Sequence, residues 1–339
     1  MKQRTFIVAE LSANHNHDFD LAVRTIEAIS KTGADAVKFQ TFRPDSFTID
    51  VDNEYFGPRK TGLWKGYRAI ELYREAAMPY EWQPRLKRIA NDLGLICFST
   101  PFDFEAVDFM ESMNMPIYKI ASLEINEVNL IEYIAKKQKP IMISTGAATL
   151  EDIELALQTC YRVGNNQITL LKCTSEYPAT IERANLLTLS DMRTRFGIQV
   201  GVSDHSLTNI IPVTAVALGA TVIEKHIILD KKLGGVDSAF SLNPEEFSLM
   251  VKEIRDVEKA LGEIDYTLKE EDKLRRRSLF VVKDMKKGDV ITVQNVCSVR
   301  PGFGMPPKYL KDILGKRVNA DMKKGERMSV DKIDNSVGQ

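Results

Sequence analysis

Short apolar runs and amphipathic stretches alternate through the first three quarters of the chain. The apolar runs fall at 6–9, 36–39, 95–98, 117–121, 140–143, 168–171, 198–202 and 221–223, eight in all. They are rich in Val and Ile and do not alternate with polar residues, as expected of parallel strands covered on both faces. The stretches between them carry the helical period. In 20–31, Ala22, Ile26 and Ile29 share one face and Gly33 is the expected stop. The last such stretch has the fullest signals: Asn243 as N-cap, Pro244 at the first helical position and Glu246 two places on. A stripe of Phe247, Val251, Ile254, Val257 and Leu261 follows, and Gly262 ends it. Eight strand–helix units predict a (β/α)8 TIM barrel over 1–262. An open doubly wound sheet is the competing arrangement, but no GxGxxG opens the first helix.

The pattern changes after Gly262. Residues 263–277 are strongly charged, end in Arg275-Arg276-Arg277, and read as a solvated linker. Residues 278–339 read as a small, mostly-β domain with an internal repeat. Asp284-Met285-Lys286-Lys287-Gly288 returns as Asp321-Met322-Lys323-Lys324-Gly325, each copy a turn leading into a short strand, with a helical turn expected near 309–314. A unit of this size buries little core alone, so docking onto something larger is expected.

Composition narrows the class. The chain has 339 residues, 44% hydrophobic and 27% charged, which excludes bulk disorder. A net charge of −1 gives no electrostatic case for nucleic acid or for a polybasic membrane contact. The four cysteines (Cys97, Cys160, Cys173, Cys297) form no CxxC pair, which argues against structural zinc and a disulfide framework. No apolar run reaches the length of a membrane span, and residues 1–5 lead straight into the first strand without a signal-peptide pattern. A cytoplasmic protein acting on small molecules is the expectation.

In such a barrel the chemistry lies at the C-terminal ends of the strands. Those ends carry Glu10, Ser12, Asn14 and His15; Lys38 and Gln40; Ser99 and Thr100; Lys119, Ser122 and Glu124; and Ser144-Thr145-Gly146. The last three carry Lys172, Thr174, Ser175 and Tyr177; Ser203, Asp204 and His205; and Glu224, Lys225 and His226. Lys38 and Lys119 lie within strand-like segments buried on both faces, so each needs an anionic partner. A bound phosphate or carboxylate serves, with Ser and Thr hydroxyls completing the anion site. His205 and His226 follow adjacent strands and are two of only four histidines, so both imidazoles can reach one divalent ion. His15 and His17, in the first strand–helix loop, have weaker claims. Cys97 and Cys173 read as small buried hydrophobes. Trp64 and Trp82 read as packing residues, with a substrate lid as the second reading.

Taken in order, the strand-end motifs resemble the sialic acid synthase family. They are Ala9-Glu10-Leu11-Ser12-Ala13-Asn14-His15, Lys38-Phe39-Gln40, Phe98-Ser99-Thr100-Pro101-Phe102 and Tyr118-Lys119-Ile120-Ala121-Ser122. Then come Ile143-Ser144-Thr145-Gly146, Cys173-Thr174-Ser175-Glu176-Tyr177-Pro178, Gly201-Val202-Ser203-Asp204-His205-Ser206 and Glu224-Lys225-His226. Arg300-Pro301-Gly302 resembles the family's C-terminal antifreeze-like (SAF) domain. The resemblance implies condensation of phosphoenolpyruvate with an N-acetylated amino-sugar aldehyde, a divalent metal (Mn²⁺ or Mg²⁺), and a domain-swapped homodimer. By the same resemblance Lys38, Thr100, Lys119, Ser122, Ser144, Ser175 and Ser203 hold phosphoenolpyruvate, and His205 and His226 hold the metal. Glu10 and Glu124 are the acid/base candidates. Gln40, Tyr177 and Asp237 face the sugar, which Arg300 contacts from the partner subunit.

Gly62-Leu63-Trp64, Leu72-Tyr73, Pro79-Tyr80-Glu81-Trp82 and Asp237-Ser238-Ala239-Phe240-Ser241-Leu242 resemble the branch that takes 2,4-diacetamido-2,4,6-trideoxy-L-altrose. The alternative branches take the neuraminate or legionaminate precursor with the same chemistry. A barrel that binds sugar or phosphate without catalysis, and a Schiff-base aldolase using Lys38, Lys119 or Lys172, are the readings from other classes. Three departures stand out. His17 replaces a frequent glycine. The segment before Asp237 lacks the proline of the neuraminate enzymes. No counterpart is evident for their phosphoenolpyruvate-binding asparagine after strand two.

Overall fold

The computed structural model describes residues 4–334; residues 1–3, and the 335–339 end of the expected small domain, lie outside it. The chain divides into two compact units, Met1–Gly262 and Glu263–Gln339. In the first, eight parallel strands close into a barrel in sequence order. They are β1 (Phe6–Glu10), β2 (Ala36–Thr41), β3 (Ile96–Pro101), β4 (Tyr118–Ile120), β5 (Ile141–Ser144), β6 (Ile168–Cys173), β7 (Gln199–Asp204) and β8 (Val222–His226). No described helix is long and apolar enough to cross a membrane.

Most strands run one to three residues past the apolar runs expected from sequence, as β2 does to Thr41 and β8 to His226. The backbone ladder continues while the side chains turn polar, because these residues point into the barrel mouth. The first helix is Phe19–Ile29, started by the Asp18 carboxylate on the Leu21 amide (3.0 Å) and closed at Ser30. Gly33 therefore lies beyond the helix end, at φ 85° in the turn to β2. The last barrel helix, Pro244–Ala260, has the expected capping box of Asn243 and Glu246, but Leu261 is left exposed.

Two layers of side chains explain the mouth. Val8, Ala36, Phe98, Met142, Leu171 and Val222 pack together inside the barrel. Strand side chains repeat every two residues, so two places further on the same strands present Glu10, Lys38, Thr100, Ser144, Cys173 and Glu224 above this apolar plug. The outward faces, such as Ile7, Val37 and Ile143, pack under the helices.

The second unit is built on a two-stranded antiparallel sheet, β9 (Ser278–Val281) with β10 (Val296–Val299), around a core that includes Leu279, Val296, Met322 and Met328. The segment expected as a plain linker contains a short helix, Glu270–Arg275. The sequence repeat is a reciprocal clasp. Asp284 accepts from the Lys324 amide (2.8 Å) and the Lys323 ammonium (2.9 Å); Asp321 accepts from the Lys287 amide (2.9 Å) and the Lys286 ammonium (2.7 Å). Met285 and Met322 exchange backbone hydrogen bonds between them. Gly288 and Gly325 close the two turns at φ 90° and 94°, where a side chain is disfavoured. Single bridges, rather than the short strands expected, follow each copy.

Candidate active site at the barrel mouth

Register brings the charged groups together. Glu10 pairs with Lys38 on one side and with His226 on the other, and Ser203 pairs with Glu224. The Lys38 ammonium lies 2.8 Å from Glu10 Oε2 and 3.8 Å from Glu224, and donates to Thr100 Oγ1 at 3.0 Å. Lys119 lies 3.6 Å from Glu224, which also accepts from the Ser203 hydroxyl at 2.9 Å. All four charged groups are buried.

Burial pushes Glu10 up to about 7, against the pull of Lys38. For Glu224 burial acts the same way, but Lys119 and Lys38 outweigh it and hold the carboxyl below its ordinary range. Burial lowers Lys119, while for Lys38 the two carboxylates overcome burial and raise it. Glu124, at the Ser122–Glu124 turn after β4, is raised to about 7 by burial against Lys119. Two carboxyls are thus half-titrated near neutral pH, the range suited to proton transfer.

Hydroxyls ring the same space. Ser122 Oγ accepts from the Gly146 amide at 3.1 Å. A Cβ on Gly146 would stand 2.4 Å from Ser175 Oγ and 2.9 Å from Ser122 Oγ, so only glycine lets the backbone enter here. Ser144 Oγ, Ser175 Oγ, Glu224 Oε2 and His226 Nδ1 are buried without hydrogen-bond partners. Four such orphans around one cavity mark a place where a polar ligand supplies the missing bonds.

His205 and His226 face each other with ring centroids 5.4 Å apart. The carbonyl of Thr174, 2.9 Å from His205 Nδ1, fixes that ring and leaves its Nε2 available. Burial, then His205 and the lysines, keep His226 neutral, the form that ligates metal. Asp237 Oδ2 lies 3.9 Å from His226 Nδ1. Among the described residues no group of three His, Cys, Asp or Glu is placed to cage an ion alone. The donor set therefore fits a divalent ion held by two imidazoles, with its remaining positions open to water or substrate.

A cavity of about 640 Å³ contains these groups. Every predicted barrel site residue lines it except Glu10, which lies behind Lys38 and Gln40. Gln40 donates to Glu10 (3.1 Å) and Ser12 (2.9 Å), and Ser12 in turn donates to Asp237 (2.5 Å). Arg300 belongs to the second unit. His15 packs edge-on against Trp82, and His17 bonds the Arg74 carbonyl; neither lines the cavity.

Three residues differ from the sequence reading. Glu224 had no assigned role, yet it bridges both lysines; a carboxylate in a doubly covered strand was the available signal. Cys173 is buried, as expected, but it also lines the cavity, with Sγ 3.9 Å from His205 Nδ1. Burial alone would raise its thiol, but the imidazole outweighs burial and brings it down to about 7. Trp64 forms cavity wall rather than core. Its indole N–H donates to the Val236 carbonyl (3.0 Å) and its ring lies 5.5 Å from Tyr177.

Fold and mouth define a (β/α)8 barrel with a buried, polar cavity at the C-terminal ends of its strands. The chain belongs to the NeuB family, whose model matches residues 25–266; a SAF domain match covers 276–327. It is similar to the pseudaminic acid synthase of Campylobacter jejuni, 44% identical over 329 residues and 96% of each chain. It is also similar to that of Helicobacter pylori, 43% identical over 99% of this chain and 100% of the relative. Among solved structures it resembles N-acetylneuraminic acid synthetase from Leptospira borgpetersenii, with a TM-score of 0.71 and 29% identity, covering 80% of this chain and 89% of that one.

Proposed function

We infer that the chain catalyses the pseudaminic acid synthase reaction, joining phosphoenolpyruvate to 2,4-diacetamido-2,4,6-trideoxy-L-altrose with release of phosphate. The convergence of Lys38, Lys119, the serine hydroxyls and the two imidazoles on one cavity supports this most directly. The similarity over nearly the whole chain favours the pseudaminate substrate over the neuraminate and legionaminate precursors.

In this reading the Lys38 and Lys119 ammoniums donate to the phosphate and carboxylate, as do Thr100, Ser122, Ser144, Ser175 and Ser203 through their hydroxyls. A divalent ion, Mn²⁺ or Mg²⁺, held by His205 and His226, supplies Lewis-acid polarisation of the sugar carbonyl. Gln40, Tyr177 and Asp237 orient the sugar so that its aldehyde carbon meets the methylene carbon of phosphoenolpyruvate. Water then adds at C2 and phosphate leaves by C–O cleavage. Glu124, at the cavity surface, takes the proton from that water. Glu10, behind Lys38 and Gln40, positions both. Arg300 serves the sugar of a partner subunit in a domain-swapped dimer. Free cysteines suit a cytoplasmic setting.

Phosphate release, followed with each candidate aldehyde and added metal, tests the reading. Turnover with the trideoxy sugar is expected; turnover with N-acetylmannosamine alone would sink it.

A further inference from the structure

Charge accounting in the cavity points to a residue with no role so far. Its non-histidine cations are Lys38, Lys119 and Arg59. Both lysines already face carboxylates, Glu10 and Glu224. Arg59 has none: among the described residues its guanidinium meets only the face of Trp64, 5.5 Å from the ring centroid. Glu224, and Glu10 to the extent that it is ionised, offset the two ammoniums, so a multiply charged anion entering this floor brings charge that the floor does not balance. A guanidinium at the cavity wall is suited to that excess, since it offers paired donors to a phosphate or carboxylate.

The loop holding Arg59 is built to keep it there. Its amide donates to the Tyr67 carbonyl (2.9 Å) and its carbonyl accepts from the Gly66 amide (2.9 Å), closing a tight loop over 59–67. Gly62 and Gly66 turn this loop at φ 83° and 93°. Trp64, inside it, fastens the loop to the Val236 carbonyl after β8, one residue before Asp237. The aromatic face fixes the cation while leaving its N–H edge free.

We propose that Arg59 is an anion-binding residue of the active site, supplying the positive charge for phosphoenolpyruvate that the carboxylate-paired lysines do not. This rests on the function inferred above. It is tested by binding phosphoenolpyruvate alone to the full chain, with Mn²⁺ and no sugar, by calorimetry, using wild type, Arg59→Gln and Arg59→Lys. Arg59→Gln is expected to weaken phosphoenolpyruvate at least tenfold and to weaken inorganic phosphate as well. Arg59→Lys, which keeps the charge, is expected to recover most of the loss. In turnover the KM for phosphoenolpyruvate rises much more than the KM for the sugar. Thermal unfolding of the variants shows that they are folded; if Arg59→Gln is not, Arg59→Met takes its place. Binding to a folded neutral variant within twofold of wild type overturns the proposal, as does a loss confined to the sugar KM. Wild type that binds no phosphoenolpyruvate overturns the functional reading, and this proposal with it.

Discussion

Lys38 and Glu10 stand opposite one another on neighbouring strands, and their side chains meet at 2.8 Å inside the barrel. The pair is buried, so removing one partner strands the other. Lys38→Met is expected to abolish phosphate release. Without the pull of Lys38, burial holds Glu10 protonated at neutral pH, so the stability lost should be small near pH 6. It should grow toward about 3–5 kcal/mol, the cost of a broken buried pair, as pH climbs above 7. Urea melts at pH 6 and pH 9 check this.

Glu124 links catalysis to pH. As the group that accepts the proton from water, it works deprotonated, so kcat/KM should rise with pH through about 7. Glu124→Gln should lower kcat by about 10²–10⁴-fold and remove that rise. Stability should move the other way. A carboxyl raised from 4.5 to about 7 by burial favours the fold while protonated, and this contribution fades as pH climbs through about 7. Glu124→Gln should therefore melt higher than wild type at pH 8, with little difference at pH 4.5.

His226→Ala should remove metal-dependent phosphate release while leaving circular dichroism and melting behaviour close to wild type. Chelation of wild type should have the same effect, reversed by added Mn²⁺. Undiminished turnover of the variant after chelation would remove the metal from the mechanism.

Trp64→Phe keeps the ring but loses the N–H bond to Val236. One such bond is worth about 1 kcal/mol. The KM for the sugar should rise about fivefold with little change in kcat, and Trp64→Ala should cost more because the contact with Tyr177 is lost as well.

Arg300 provides a test of subunit exchange. Arg300→Ala and His226→Ala should each be inactive alone. Mixed and allowed to exchange, they should regain about a quarter of wild-type activity, since half the dimers are mixed and each holds one intact site. No recovery in confirmed mixed dimers would place both residues in one subunit's site.

The barrel was legible because eight Val- and Ile-rich runs survive without alternation, and the mouth was legible because lysines in covered strands are costly. Strand ends were not, since Gln40 and His226 continue the ladder with polar side chains. The connection from β2 to β3 was also hidden. Loop 59–67 is held by its own backbone bonds and by one indole, and neither leaves a periodic trace. Cys173 carries no sequence mark at all; its thiol is brought down chiefly by His205, which reaches it from just past the next strand. Glu224 was visible but unread, although its burial argument is the same as that for Lys38.

The clasp in the small unit has a consequence for how the chain is completed. Each aspartate ties down the turn that belongs to the other copy, so each half is braced by its counterpart. A polypeptide cut short before Asp321 would therefore lose the second turn outright and, with it, the carboxylate that holds the Lys286 ammonium and the Lys287 amide of the first.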